Sequence, residues 1–161
     1  MGLVSRSAST DSIQEMDAAR RDRFWDALTC GIDERHFAAC YLFGYAIEMS
    51  LKVAYFRLIS TNVVADLAPH LKTVGRQPRF KQRGRLHNVV AWADQLLEIR
   101  RLQGRPLSPA LTGELILRAK QVAGNWSEVM RYRRSIKAVD EACQLLELAE
   151  WFSRRHDDLW R

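Results

Sequence analysis

The stretch from His36 to Ser60 constrains the fold of this chain more than any other part of the sequence. It contains no proline, and its apolar side chains fall on nearly every side of a helical wheel. A helix that is apolar most of the way round is normally buried on several sides. Glu48 and Lys52 interrupt the apolar run, four positions apart, and opposite charges pair at this spacing on a helix. We therefore predict a central helix that shorter helices surround, with Glu48 and Lys52 as a buried polar pair.

Helical patterns cover most of the remaining chain, and no segment shows the apolar–polar alternation of a strand. Ser12 and Glu15 have the spacing of a capping box, so the first helix is expected to begin there. Gly31 is its expected end, since glycine is common just past a helix C-terminus, and Asp33 is the expected start of the central helix. The further predicted elements are a helical piece at 63–71 interrupted at Pro69, helices at 86–102, from Pro109 to Gly124 and at 136–159, and a short helix or turn at 125–135 pinned by Trp126, Val129 and Met130.

The length and composition describe one globular domain. The chain has 161 residues, of which 47% are hydrophobic and 27% charged, as in ordinary globular proteins. We predict a flexible tail at 1–10 and a single helical domain at 11–161. The predicted fold class is all-α, an up-and-down bundle of four to five helices.

The expected location is the cytoplasm. The three cysteines, Cys30, Cys40 and Cys143, are odd in number, lack C-x-x-C spacing and lie in apolar helical contexts. This usage predicts reduced core thiols and no disulfide framework. The first ten residues lack the apolar core and cleavage site of a secretory signal. Three charged side chains make the central helix a poor membrane span, and we expect no membrane partner.

Positive charge is concentrated in the connections between helices. The formal net charge is +6, and no acidic residue lies between Asp66 and Asp94. Six of the basic residues fall within 72–85, which we call the basic loop and predict to be mobile. Such clustering favours a polyanion or an acidic partner. The alternative, a solvated loop that keeps the chain soluble, stays open.

The residues favour no established catalytic chemistry. His36 and Cys40 have the spacing of two metal ligands on one helical face, but no matching second pair exists, so no metal and no cofactor are predicted. The sequence has no G-x-S-x-G motif and no phosphate-binding glycine loop. Glu48, the one acid in the middle of the central helix, must be paired or hydrogen-bonded if buried. A structural pairing is favoured for it over a catalytic role.

Three short segments together resemble HEPN domains, the "higher eukaryotes and prokaryotes nucleotide-binding" helical domains. Residues 46–52, AIEMSLK, resemble the A-x-E-x-x-L-K signature, and residues 86–89 resemble the H-x-L segment of that family. Residues 130–132 resemble its R-Y step before the last long helix. The order and spacing match across about 12–158 and imply a bundle of four or five helices, often paired as a homodimer. The signature polar residues would be Glu48, Lys52 and Tyr132.

Many members of this family are metal-independent RNases that carry an R-x(4–6)-H motif near the start of the last helix. Arg131 matches the arginine of the motif, but no histidine follows at the required spacing. General acid–base catalysis needs a group that titrates near neutral pH, and the neighbouring arginines are poor replacements. The resemblance therefore favours a module without enzymatic activity.

Three hypotheses follow, of which the first is favoured. The chain is a non-catalytic HEPN-like module that dimerises and binds RNA, a nucleotide or a partner protein such as a nucleotidyltransferase, in a toxin–antitoxin or defence context. Alternatively, it is a divergent metal-independent RNase in which His87 replaces the missing histidine, with His87 and Arg131 meeting near the central helix. A third alternative is a structural helical assembly subunit. The predicted RNA- or nucleotide-binding residues, including Phe80 for stacking on a base, are Arg76, Arg79, Phe80, Lys81, Arg83, Arg85, Arg131, Arg133 and Arg134.

Overall fold

A computed structural model describes residues 12–60, 62–78, 80, 86–132 and 138–161, with the backbone alone at 131 and 132. Within these ranges there are seven α-helices, one 3₁₀-helix and no strand, which confirms the all-α class. The HEPN-like arrangement of the bundle remains a prediction. The helices are α1 (Ile13–Ile32), α2 (His36–Ile59), α3 (Ala68–Gly75), α4 (Val89–Leu102), α5 (Pro109–Asn125), α6 (Val139–Arg154) and α7 (His156–Trp160), and the 3₁₀-helix spans Glu128–Tyr132.

The helix α2 is the centre of the bundle, as predicted. It packs against α1, α4, α6, α7 and the 3₁₀-helix, and nearly all of its side chains from Ala39 to Phe56 are buried or half-buried. By length and composition alone α2 is also a candidate membrane span, but 67% of its most apolar 18-residue window is covered by the rest of the protein. A core helix of a globular protein passes the same test, so this finding is weak evidence that α2 crosses a membrane.

The start of α1 follows the predicted capping box. The Ser12 hydroxyl accepts a hydrogen bond from the Glu15 amide at 3.1 Å, and the Glu15 carboxylate accepts from the Ser12 amide at 3.2 Å. The end of α1 lies one residue beyond the predicted Gly31, and α2 begins at His36 instead of Asp33. The Arg35 amide donates to the Cys30 carbonyl at 2.8 Å, which closes this short connection.

Two predicted helix boundaries are wrong because of local backbone chemistry. Pro69 does not interrupt a helix but lies in the first turn of α3, where its missing amide hydrogen costs nothing. Because α3 continues to Gly75, residues 72–75 of the predicted basic loop are helical. The third predicted helix starts at Val89, because the Asn88 side chain caps it by accepting from the Ala91 amide at 2.9 Å. The predicted last helix is divided at Arg155 into α6 and α7.

The buried face of α6 is also shifted from the predicted one. The apolar period of the sequence predicts a stripe through Val139, Cys143, Leu146, Ala149 and Phe152. Ala149 and Phe152 are buried as predicted, but Val139 is 52% exposed and Cys143 is exposed. The buried side chains in the first part of α6 are instead Ala142, Leu145 and Leu148, each one residue before a member of the expected stripe. The prediction of three core thiols is therefore wrong for Cys143, whereas Cys40 is buried and Cys30 half-buried.

Candidate binding cavity around His87

Two successive turns of α2 carry the buried polar pair. Glu48 is only 1% exposed and Lys52 only 8%, and the Lys52 ammonium pairs with the Glu48 carboxylate. The Lys52 Nζ also lies 5.5 Å from the centroid of the Trp92 ring, within the range of a cation–π contact. A charge can stay buried only when it is paired and hydrogen-bonded, and Lys52 meets one half of that need for Glu48. The predicted buried pairing is confirmed.

His87 supplies the second partner of Glu48. Its Nδ1 lies 3.1 Å from Oε1 and 3.2 Å from Oε2 of the carboxylate. A carboxylate accepts hydrogen bonds, so Nδ1 is the donor to Glu48, and Nε2 is the ring nitrogen on the opposite side from this contact. The prediction that His87 approaches the central helix is confirmed.

The turn before α4 holds His87 in this position. The Trp92 indole nitrogen donates to the Leu86 carbonyl at 2.6 Å on one side of His87, and Asn88 caps α4 on the other. The Tyr45 ring lies beside the imidazole, with 6.1 Å between their centroids. The His87 side chain is 33% exposed, so its orientation is fixed while one edge remains accessible to a ligand.

Two cavities meet at His87. The large cavity, of about 450 Å³, has side chains from α1, α2 and the turn before α4. The small cavity, of about 190 Å³, lies between that turn, the end of α5 and the 3₁₀-helix. The large cavity is lined by Glu15, Met16, Ala19, Tyr45, Glu48, Met49, Lys52, Leu71, Leu86 and His87.

The walls of the large cavity are mostly apolar, with a few polar groups. The thioethers of Met16 and Met49 and the side chain of Leu71 form apolar surface, and Tyr45 adds an aromatic ring. Small-molecule sites commonly combine such walls with a small number of oriented polar groups. Lys52 is paired with Glu48, and the third charged residue of the lining, Glu15, caps the start of α1 through Ser12. The arrangement suits a flat, weakly polar group that can hydrogen-bond to His87.

A close contact between Gly44 and Trp126 holds Tyr45 in place beside the large cavity. This contact was not predicted from the sequence. A Cβ atom at Gly44 would overlap the Trp126 indole, so only glycine permits this contact. The indole nitrogen donates to the Tyr41 carbonyl at 3.0 Å, and the indole meets Tyr45 edge to face. A lone glycine inside an apolar helix was the available sign of such a close contact.

Among the predicted binding residues, the structure describes the side chains of Arg76 and Phe80. Arg76 is exposed just after α3. Phe80 is 2% exposed and packs on the Trp92 ring at 4.9 Å between centroids, so the expectation that it could stack on a base is wrong. Its ring belongs to the core because it packs against the buried Trp92 ring. Arg79, Lys81, Arg83, Arg85, Arg133 and Arg134 lie outside the described residues.

The expected meeting of Arg131 and His87 is a prediction that the described atoms leave open. The backbone of Arg131 and Tyr132 belongs to the 3₁₀-helix, and their side chains are outside the description. Glu128 and Val129 of the same 3₁₀-helix line the small cavity together with His87. The element that carries Arg131 is therefore a neighbour of His87.

His36 and Cys40 occupy adjacent turns of α2 at its start. His36 is half-buried and Cys40 is buried. Across the described ranges, no group of three or more His, Cys, Asp or Glu side chains is arranged to hold a metal ion.

Comparison with known proteins finds no matching family model, no matching curated protein and no matching solved structure. The function of this chain is therefore inferred from the geometry around His87, with the HEPN resemblance as an added hypothesis.

Proposed function

We propose that this chain is a non-catalytic, HEPN-like helical module that binds RNA or a nucleotide in the large cavity. The observation that carries the proposal is His87, which a buried carboxylate orients at the edge of a mostly apolar cavity. A nucleobase has apolar faces and a hydrogen-bonding edge, so it matches both the walls and the imidazole Nε2. The Tyr45 ring provides a surface for stacking.

The positive charge of the chain supports an anionic polymer as the ligand. The net charge of +6 is concentrated near the basic loop, and Leu71 and Leu86, which flank that loop in sequence, both line the large cavity. A base in the cavity would therefore place its phosphates close to the two ends of the loop. Lysine and arginine contacts to phosphate make such binding depend steeply on salt.

A homodimer, a nucleotidyltransferase-type partner and a cytoplasmic, toxin–antitoxin or defence setting remain part of the proposal. The surface that supports a protein interface lies where the end of α1 meets the start of α6. Ile32 is 82% exposed and Val139 is 52% exposed there, and both line an apolar cleft of about 200 Å³. Exposed apolar surface of this kind is typical of protein interfaces.

Binding of a labelled single-stranded RNA, followed by fluorescence anisotropy, tests the proposal. We expect Tyr45→Ala to lower the affinity by about tenfold, since base stacking on an aromatic side chain contributes about 1–3 kcal/mol. His87→Asn should also weaken binding, whereas the matched replacement of the exposed His70 should leave it unchanged. Replacing Arg79, Lys81 and Arg83 together by alanine should reduce the salt dependence. RNA affinity that is the same in the Tyr45 and His87 variants as in the wild type would contradict the proposed site.

The Glu48–His87 pair favours one alternative, a metal-independent RNase. A carboxylate that fixes an imidazole through Nδ1 leaves Nε2 as a general base, an arrangement found in many enzymes. In such a reaction Nε2 takes the proton of a ribose 2′-hydroxyl, whose oxygen attacks the adjacent phosphorus. The 5′-oxygen leaves and takes a proton from the solvent, so the product is a 2′,3′-cyclic phosphate.

Incubation of the protein with single-stranded RNA and a metal chelator distinguishes the two proposals. The RNase alternative predicts cleavage that His87→Asn abolishes and that a 2′-deoxy substitution at the cleaved position prevents. RNA that is bound but remains intact over a wide pH range supports the non-catalytic module. If the protein neither binds nor cleaves the RNA, the remaining hypothesis is the helical assembly subunit.

A further inference from the structure

Three arginine side chains surround one buried carboxylate where α1, α2 and α7 meet. Asp17 Oδ1 accepts from Arg20 Nε at 2.9 Å, and Oδ2 accepts from Arg21 Nη1 at 2.8 Å. Arg57 Nη2 lies 3.4 Å from Oδ2. Burial raises the pKa of the Asp17 carboxyl, but the charge and hydrogen bond of Arg20, followed by those of Arg21, outweigh this and lower the pKa below 3.8. The carboxylate is thus ionised at neutral pH, against three guanidinium groups.

Within the described residues, Asp17 is the carboxylate that contacts these three arginines. In the part of the chain that the structure describes, no second carboxylate lies within 4.0 Å of the three arginines. His156 lies against the cluster, with Nε2 3.9 Å from Asp17 Oδ1. Burial, followed by the charge of Arg20, lowers the pKa of His156 to about 4, so its ring is neutral at pH 7. Three guanidinium groups thus share one carboxylate, and the Arg21 side chain, which is 55% exposed, leaves positive charge at the surface.

A cavity of about 250 Å³ lies beside this cluster, on the face that α1 shares with α2 and α6. Arg20 and Arg21 line it, together with the hydroxyl-bearing Ser50 and Ser153, and no acidic residue does. Trp25 also lines the cavity and is 66% exposed. Since Arg21 and Trp25 are four positions apart on α1, they are neighbours on one helical face. This cavity shares no lining residue with the large cavity.

We propose that this cavity is a separate binding site for a phosphate monoester that carries an aromatic ring, the chemistry of a mononucleotide. Arg20 and Arg21 bind the phosphate oxygens, and the ring stacks on the Trp25 indole. The planar guanidinium group matches the geometry of phosphate oxygens, and the anion supplies the charge that the cluster lacks. Ligand pockets commonly measure about 300–1,000 Å³. This smaller cavity accommodates the phosphate group, while the ring lies at the exposed indole.

Isothermal titration calorimetry with adenosine 5′-monophosphate, inorganic phosphate and adenosine tests both halves of the proposed site. We expect the monophosphate to bind most tightly, inorganic phosphate more weakly, and adenosine at least tenfold more weakly than the monophosphate. Trp25→Ala should lower the affinity for the monophosphate about fivefold or more without changing that for inorganic phosphate, because only the ring contacts the indole. Equal affinity for adenosine and its monophosphate would overturn the proposal.

Arg21→Gln and Arg23→Gln form a matched pair for the same titration. Both replacements remove one positive charge from an exposed position of α1, but Arg23 pairs with Asp26 at 2.9 Å and does not line the cavity. We expect about a tenfold loss of affinity in Arg21→Gln and no change in Arg23→Gln. An equal loss in both variants would show non-specific attraction and overturn the site.

Tyr45→Ala separates this site from the large cavity. Tyr45 lines only the large cavity, so the effects of Arg21→Gln and Trp25→Ala should persist in that variant. Circular dichroism melting curves confirm that each variant is folded. The absence of any monophosphate binding by folded wild-type protein would also overturn the proposal.

Discussion

Glu48 on α2 and Asp17 on α1 are both buried carboxylates, but their surroundings differ in charge. Glu48 has one permanently charged partner, Lys52, and one histidine, His87. Asp17 has three guanidinium groups around it. The first site is close to neutral, whereas the second has excess positive charge.

This difference indicates what each cavity can bind. Charge is balanced beside Glu48, so the large cavity suits a nucleobase and has in His87 an oriented hydrogen-bonding group. Positive charge exceeds negative charge beside Asp17, so the neighbouring cavity suits a phosphate group. The number of cations around a buried carboxylate, more than the carboxylate itself, decides the chemistry of the two sites.

Removing the Glu48 carboxylate should have the largest effect. Glu48→Ala leaves the buried Lys52 ammonium without its partner, and breaking a buried ion pair in this way costs about 3–5 kcal/mol. Urea denaturation followed by circular dichroism measures the loss. A free energy of unfolding within about 1 kcal/mol of the wild type would show that Glu48 and Lys52 are not coupled as the structure indicates.

Lowering the pH should weaken the Asp17 region through His156. Its pKa of about 4 in the folded protein lies below the ordinary value of 6.5, so between these two values the unfolded chain binds a proton that the folded protein does not. The free energy of unfolding is therefore unaffected by this group above pH 6.5 and falls by about 3 kcal/mol as the pH decreases to 4.

Denaturation of the wild type and of His156→Gln at several pH values isolates this contribution. The difference between the two free energies of unfolding should change across pH 6.5 to 4 and stay constant below it. A difference that does not depend on pH in this window would contradict the neutral, buried state of His156.

A methyl group at Gly44 should displace Trp126 and disturb the Tyr45 side of the large cavity. Overpacking of this kind costs about 1–3 kcal/mol, so Gly44→Ala should lower the melting temperature. Gly113→Ala in α5 is the matched control, since no atom lies within 4 Å of a Cβ atom there. It should stabilise the protein by about 0.4–1 kcal/mol. Melting temperatures that shift in the same direction in both variants would contradict the close contact.

Arg21→Gln should have the smallest effect on stability. Asp17 keeps Arg20 and Arg57 as partners, and the Arg21 side chain is 55% exposed. Exposed ion pairs contribute about 0–1 kcal/mol, so chemical denaturation should detect a change of at most about 0.5 kcal/mol. A loss as large as that of Glu48→Ala would mean that the two carboxylates depend on their partners equally and that Asp17 has no surplus cation.

Local spacing explains why part of the fold was predictable. The cap at Ser12, the central helix and the Glu48–Lys52 pair all depend on residues a few positions apart, and the structure confirms each of them. The hydrogen bond between His87 and Glu48 joins residues 39 positions apart. Only the HEPN resemblance placed that histidine near the central helix, since spacing alone fixes no such distance.

The predictions that are wrong concern side chains whose burial depends on contacts with residues distant in sequence. Phe80 lies among basic residues, and nothing in that stretch of sequence reveals that Trp92 covers its ring. Cys143 fits an apolar stripe as well as its neighbour Ala142 does, and only contact with the other helices selects the buried face. The Asp17 cluster was not predicted, because a lone arginine such as Arg20 in a helical sequence is normally exposed, and only contact with the other helices buries it against Asp17.

Nuclear magnetic resonance of the histidine side chains tests the proposed role of His87 most directly. In protein labelled with nitrogen-15, long-range correlations report which ring nitrogen carries the proton, and His87→Asn assigns the resonances. We predict that free His87 has its proton on Nδ1, and that single-stranded RNA shifts its Nε2 resonance while leaving those of the exposed His70 in place. Saturating RNA that leaves the His87 resonances unchanged would contradict a binding site at this cavity.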